Sequence, residues 1–260
     1  VGQKLHNLVA QLYQPAPTHT LYHYTSLRGL MGIVEGGAIW ASEIKYLNDS
    51  EELTHLAEWI RSEIALKRDP SDQEGSSIMS QFQEWSRERL TNGHMLFVTS
   101  FTENGNLLSQ WRGYCPFGKG VSVGFTTAKI SAIARAAEFS LGRCIYTAED
   151  KSSIVTDIVD GVVEEAKRQG PSTKYHPDQC YYHVFKELEP LILRISALIK
   201  SRTFEEEGEW RLVSSIHTNY VRAPTKYREG ATMLIPYIDL PMRWGEDQID
   251  IERVYIGPSP

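Results

Sequence analysis

Two glutamates, Glu207 and Glu209, stand two positions apart in the run Glu205-Glu206-Glu207-Gly208-Glu209-Trp210-Arg211. In an extended chain, side chains two apart share a face, so a strand beginning by 207 presents both carboxylates on one side. Such a pair can divide the work of a group transfer. One carboxylate balances a developing positive charge or holds a hydroxyl, and the other orients or deprotonates an acceptor. Arg211 follows on the same face, where its planar fork can hold either carboxylate or a phosphate. Trp210 and Leu212 belong to the opposite face and pin it into a core. The plain alternative is a solvated acidic loop ahead of a strand.

His23 is the second candidate. It lies inside Leu21-Tyr22-His23-Tyr24-Thr25, where valine or isoleucine would fill a strand position without a ring nitrogen that needs a partner. Its structural alternative is a histidine bonded to a neighbouring carbonyl or tyrosine hydroxyl. A third cluster joins the strand end Thr99-Ser100-Phe101 to Gln110-Trp111-Arg112-Gly113-Tyr114. Within five residues it supplies amide donors, a stacking surface and a phosphate fork, the needs of a ligand with a base and phosphates. The same side chains can instead cover a core at its rim. Asn48-Asp49-Ser50 reads as a turn, with Asp49 and Glu52 forming a capping box. His176, Cys180 and His183 have spacings a metal can use, but a fourth ligand is lacking, so no metal is assigned. The chain carries no phosphate-binding loop, kinase motif set, nucleophile elbow or His-Glu-x-x-His motif.

These residues need strands to carry them. Tyr22–Thr25, Ile39–Ala41, 95–101, Val121–Phe125, 143–147, Glu209–Ile216, Met233–Ile238 and Ile251–Ile256 read as strands from their apolar and β-branched content. Helical spacing covers 4–14, the short stretch from Ser26 to Gly36-Gly37, a longer helix opened by Asp49, and 78–90, 127–139, 152–168 and 179–199. Pro190 marks a bend or break in the last of these. Residues 69–77 are polar and read as a link, and 107–114 are short and mixed. The order is α+β without regular βα alternation, in one domain over 1–260 with helical insertions at about 50–90 and 152–200.

The chain of 260 residues is 41% hydrophobic and 23% charged, which suits one sizeable core. A formal net charge of −6 argues against a broad non-specific nucleic-acid surface while leaving room for a local basic cleft. Three cysteines cannot build a disulfide framework. No apolar run reaches membrane-spanning length and no secretory signal is visible, so a cytoplasmic protein without a membrane partner is expected.

Taken together, His-Tyr-Thr-Ser at 23–26, Ile39-Trp40-Ala41-Ser42, Tyr46-Leu47-Asn48-Asp49-Ser50-Glu51, Val98–Glu103, Gln110–Tyr114, Phe204 with Glu207-x-Glu209-Trp210-Arg211, and Ile256-Gly257-Pro258 resemble a widespread bacterial family of largely uncharacterised function. Its first motif in turn resembles that of the ADP-ribosyltransferases of toxin and phage-defence type. That resemblance implies a mixed-sheet core and NAD as the bound cofactor. It gives catalytic roles to Glu209, Glu207 and His23. Contacts to NAD are implied for His23, Tyr24, Thr25, Thr99, Ser100, Gln110, Trp111, Arg112, Tyr114 and Arg211. On this reading Glu209 faces the positive charge that grows as the nicotinamide–ribose bond stretches, Glu207 serves the acceptor, and His23 bonds a ribose. The acceptor is a nucleic acid or a protein, and a toxin-type system brings a neutralising or regulatory protein partner. Two other readings stay open: a nucleotide- or phage-component-sensing module without chemistry, and a metal-dependent nuclease built on Asp49 and the 205–209 carboxylates.

Overall fold

The computed structural model describes residues 1–47, 51–92, 94–115, 118–218, 224–230, 232–243 and 249–258, with backbone alone at 51–54 and 91. Asn48-Asp49-Ser50, read above as a turn and cap, lies outside the described residues. In chain order the elements are α1 (Gln3–Leu12), β1 (Leu21–Ser26), α2 (Leu27–Gly36), β2 (Ala38–Glu43), α3 (Glu51–Lys67), α4 (Gln73–Asn92), β3 (Phe97–Thr102), α5 (Leu108–Tyr114) and β4 (Gly120–Phe125). They continue with α6 (Thr127–Ala136), β5 (Ser140–Arg143), α7 (Ala148–Gln169), α8 (Tyr182–Ser196), β6 (Glu209–Val213), β7 (Lys226–Glu229), β8 (Leu234–Pro241) and β9 (Arg253–Ile256). They form an α+β protein in two compact units.

One unit takes Val1–Leu12, Leu47–Met95 and Ile145–Arg202, and is helical. Leu56, Ile60 and Ile64 of α3 make the buried stripe that their spacing predicts. They share the interior with Phe82 of α4, Ile158 of α7 and Phe185 of α8, the Phe82 and Phe185 rings lying 5.3 Å apart at their centroids. The polar run 69–77 is more than a link. Asp69 Oδ1 accepts from the Ser71 amide at 2.8 Å and Asp72 Oδ1 from the Gly75 amide at 2.9 Å. Those side-chain acceptors satisfy the first amides and start α4 at Gln73, five residues before the apolar periodicity begins. α8 runs through Pro190 without breaking.

The other unit takes Tyr13–Tyr46, Leu96–Cys144 and Thr203–Pro260 and holds the open nine-stranded sheet. Its order is β7-β8-β2-β3-β1-β4-β9, with β6 also paired to β3 and β5 to β6. Every pairing between these strands is antiparallel, where the resemblance implies a mixed sheet. β3 is the hub. β6 pairs along it from Val98 to Thr102, so the other edge is left for two strands. β2 takes Phe97 and Val98 at one end, and β1 takes Thr102 at the other. One sheet face carries Leu21, Phe101, Val123, Trp210 and Leu212 into a core closed by Ile33 of α2 and by Ile130 and Ile133 of α6. β7 has no apolar alternation and forms through its pairing with β8. The residues read as a strand at 143–147 supply only the end of β5, at Arg143, and an isolated bridge at Ile145.

The double glycine after α2 does two different jobs. Gly37 closes the helix at φ 67°, its amide donating to the Ile33 carbonyl at 2.8 Å, while Gly36 is the last helical residue and has nothing near its missing Cβ. An added Cβ at Gly37 would lie 2.2 Å from Arg243 Nε in a backbone region L-residues avoid. Gly37→Ala is therefore expected to cost about 1 kcal/mol. Gly36→Ala is expected to gain a few tenths to about 1 kcal/mol, because alanine prefers the helix. Denaturant unfolding of the two variants checks the opposite signs.

Candidate functional site

β1 and β3 meet directly at Tyr22 and Thr102, and the chains part beyond that rung. A cleft opens there, lined by Tyr22, His23, Tyr24, Ser100, Phe101, Thr102, Gln110, Tyr114, Glu207 and Glu209, with about 370 Å³ of space continuous with solvent. The Thr102↔Glu209 and Ser100↔Arg211 register puts Glu209 and Arg211 on the face of Tyr22 and Tyr24.

Glu209 is the first residue of β6 and is buried. Arg211, also buried, reaches back along the strand with Nε 2.8 Å from Oε1 and Nη2 3.2 Å from Oε2. The sequence left Arg211 open between a carboxylate and a phosphate, and its fork closes on the carboxylate. Glu207 ends the 3-10 turn Arg202–Glu207 and is buried at the cleft wall, with its carbonyl accepting from the Thr102 hydroxyl. The strand starts at 209, so the two glutamates reach the cleft from a turn and a strand rather than from one pleated face. Gly208 permits the bend between them, at φ 49°.

His23 borders the cleft from the other side of the pleat. Alternation along β1 turns it away from Tyr22 and Tyr24, and its ring centroid lies 5.8 Å from that of Phe101. Its Nδ1 is 3.0 Å from the Ser100 carbonyl oxygen. A carbonyl only accepts, so Nδ1 carries the proton, and Nε2 is the acceptor of the neutral ring. Burial holds the imidazole pKa below its usual value. The histidine thus supplies β3 with a donor where the β1 ladder has stopped.

α5 forms the remaining wall, and Tyr24 fixes it. The Tyr24 hydroxyl donates to the Asn104 carbonyl at 2.8 Å and accepts from the Leu107 amide at 2.7 Å, tying the loop before α5 to β1. Trp111 packs edge-on to Tyr24 with centroids 4.6 Å apart, and its Nε1 donates to Asn106 Oδ1 at 3.0 Å. The indole is thereby a structural wedge and does not line the cleft. Gln110 and Tyr114, on either side of it in α5, do.

Of the predicted contacts, the cleft gathers His23, Tyr24, Ser100, Gln110, Tyr114, Glu207 and Glu209. Thr25, Thr99, Trp111, Arg112 and Arg211 are outside its lining. The Thr25 carbonyl accepts from the Cys115 thiol at 3.3 Å, Thr99 alternates with Ser100 onto the Phe101 face, and Arg112 is exposed. Sequence reasoning passed over Tyr22, Phe101 and Thr102 as site residues. Period-two spacing from Tyr24 and Ser100 is the signal that would have found Tyr22 and Thr102. Among the described residues, no group of three His, Cys, Asp or Glu side chains is placed to hold a metal ion. No helix among them is long and apolar enough to cross a membrane.

Fold and cleft together define an α+β protein whose open antiparallel sheet carries an acidic, aromatic-walled cleft. A family model described as a protein of unknown function (DUF2971) matches residues 110–212, a stretch that begins at the cleft residue Gln110 and ends in β6. No curated protein and no solved structure matches the chain.

Tyr24→Phe removes a hydroxyl that serves two backbone groups, and is expected to cost about 1–2 kcal/mol in an unfolding titration. For His23 the folded pKa lies below the unfolded one, so the folded state binds fewer protons. Stability is then full above the ordinary value and falls as the pH drops through about 6.5 toward the folded pKa. His217 is shifted the same way by burial and adds to the slope. His23→Phe is expected to shrink, without abolishing, the fall in melting temperature between pH 7.5 and 5.5, read by thermal scans (window set around the ordinary His value, about 6.5).

Proposed function

We propose that the cleft takes the nicotinamide–ribose half of NAD and that the protein is an ADP-ribosyltransferase acting on a nucleic-acid or protein acceptor. One observation carries the reading: the lining combines Glu207 and Glu209 with the rings of Tyr22, Tyr24, Phe101 and Tyr114, and includes no lysine or arginine. Carboxylates and aromatic faces lining one cleft suit a cationic aromatic ring, which is what ribose-linked nicotinamide is, although Arg211 shares the charge of Glu209 from outside the lining. The same lining brings no lysine or arginine to a pyrophosphate, so that part of NAD extends past the cleft.

Bound NAD supplies a glycosidic bond whose scission leaves the electron pair on the nicotinamide nitrogen and positive charge on the ribose. Glu209 faces that charge. Both of its carboxylate oxygens accept from Arg211, which fixes its orientation through the β6 backbone. Glu207, in the wall of the same cleft, takes the proton that an attacking hydroxyl or amine must lose. Ser100 and Thr102 occupy the floor, and His23 holds β3 in register below them.

A second reading is a module that binds a cationic or nucleotide ligand without chemistry. The bidentate Arg211 contact favours it, since a carboxylate already neutralised stabilises new positive charge less.

The deciding experiment is NAD turnover beside thermal unfolding for a set of variants. Glu209→Gln alone leaves the Arg211 charge buried without its counter-ion and is expected to cost about 3–5 kcal/mol of stability. Glu209→Gln combined with Arg211→Met removes both charges and restores much of that stability. The transferase reading expects the double variant to fold and to lose turnover by about two to three orders of magnitude. The exposed Glu205→Gln control is expected to be silent. A folded double variant that still turns NAD over would reject the role of Glu209. A wild-type protein that binds NAD and never consumes it would leave the binding module.

A further inference from the structure

Gln110 is 6% exposed, and its side chain lines the cleft. Among the described residues its side-chain amide makes no hydrogen bond, so its one strong acceptor and two donors are left to the cleft. Its position is not a consequence of loose packing. Gln110 sits beside Trp111, whose ring is wedged against Tyr24 and whose Nε1 is held by Asn106. The start of its helix is tied to the Tyr24 hydroxyl through Leu107. A rigid mount thus presents a free amide edge to a cavity, and that edge is complementary to any group that offers a donor and an acceptor side by side.

We infer that Gln110 is the residue that selects the ring entering this cleft, by pairing its side-chain amide with a primary carboxamide on that ring. The inference rests on the NAD reading of the cleft and adds to it the group through which nicotinamide is distinguished from other cationic rings. The Gln110 oxygen accepts from the carboxamide NH₂, and the Gln110 nitrogen donates to the carboxamide oxygen. Tyr114, one helical turn further along, bounds the same wall with its ring. Glu207 and Glu209 recognise charge, which any pyridinium carries. An amide pair reads the substituent, and a site built to satisfy a buried hydrogen-bonding group rejects an analogue that lacks it.

The test compares NAD with its 3-acetylpyridine analogue, which keeps the pyridinium charge and the carbonyl and loses the NH₂ donor. Binding of both dinucleotides is measured by calorimetry on the full chain, for wild type and Gln110→Leu, with a melting curve for each. Leucine fills a similar volume without polar atoms, so the variant is expected to fold. Wild type is expected to prefer NAD by about tenfold, the cost of leaving the Gln110 oxygen unpaired. Gln110→Leu is expected to bind the two within about twofold of each other, mainly through weaker NAD binding. If Gln110→Leu keeps the wild-type preference, Gln110 is not the selecting residue while the NAD reading stands. If wild type binds both equally, the amide pair is rejected on the same terms. Wild type that binds neither dinucleotide overturns the inference together with the NAD reading, and is told apart from the other failures by the absence of any heat.

Discussion

A β-strand has two edges, and β3 has three neighbours. With β6 occupying one edge along five residues of β3, the other must be divided, and the ladder on that side cannot continue from β2 into β1 without a break. The consequences spread from there. β1 is free to diverge after Tyr22, so a gap opens within the sheet and not at its rim. Backbone groups of β3 facing the gap lose their ladder partners, and buried carbonyls do not stay unpaired cheaply. The ring nitrogen of His23 meets one of them at Ser100. A cleft inside a sheet draws side chains from both faces of the pleat, which explains how Glu209 and His23 border one space while pointing from opposite sides.

Glu209, in the lining of that cleft, belongs to a buried ion pair at an element boundary. Removing two charges from water is expensive, and only close bidentate geometry returns much of the cost. Glu209 and Arg211 achieve it because they are two residues apart on one strand, so the backbone of β6 sets their separation. A surface pair would lose its geometry to side-chain freedom, whereas this one is as rigid as the sheet. Rigidity is useful to a carboxylate that must meet a substrate, since no reorganisation is needed at the moment of reaction. It also means that the stability of β6 and the chemistry of the cleft draw on the same two side chains.

Much of this was legible in the sequence. Residue types identified the strands that matter, from β1 through β6, because β-branched and aromatic residues bounded by glycine turns have few other places to go. Charged and polar residues in those strands identified Glu209, His23 and Ser100 for the same reason, and Glu207 and Gln110 stood out beside them in a turn and a short helix. What stayed hidden was partnership. Whether Thr99 or Ser100 faces the cleft depends on register with β6, a long-range pairing that local pattern does not encode. Arg211 and Trp111 look like ligand groups until their neighbours are known, and then prove to be committed to Glu209 and to Tyr24 and Asn106. The polar stretch before α4 misled in the opposite direction, since its aspartates serve as caps and composition alone describes them as linker.

Three strands of the branched sheet, β5, β7 and β9, each pair on one edge among the described residues, and all are four residues long. An unpaired strand edge is a template on which another chain can extend the sheet. β7 answers with Lys226, Arg228 and Glu229 in a four-residue run, too short and too charged to recruit a neighbour. β9 is less protected: Val254 and Ile256 are exposed, and Arg253 is its only charged residue. Of these two strands, self-association of a partly unfolded or concentrated sample would therefore favour β9 over β7, and a lysine substitution in β9 would suppress it there.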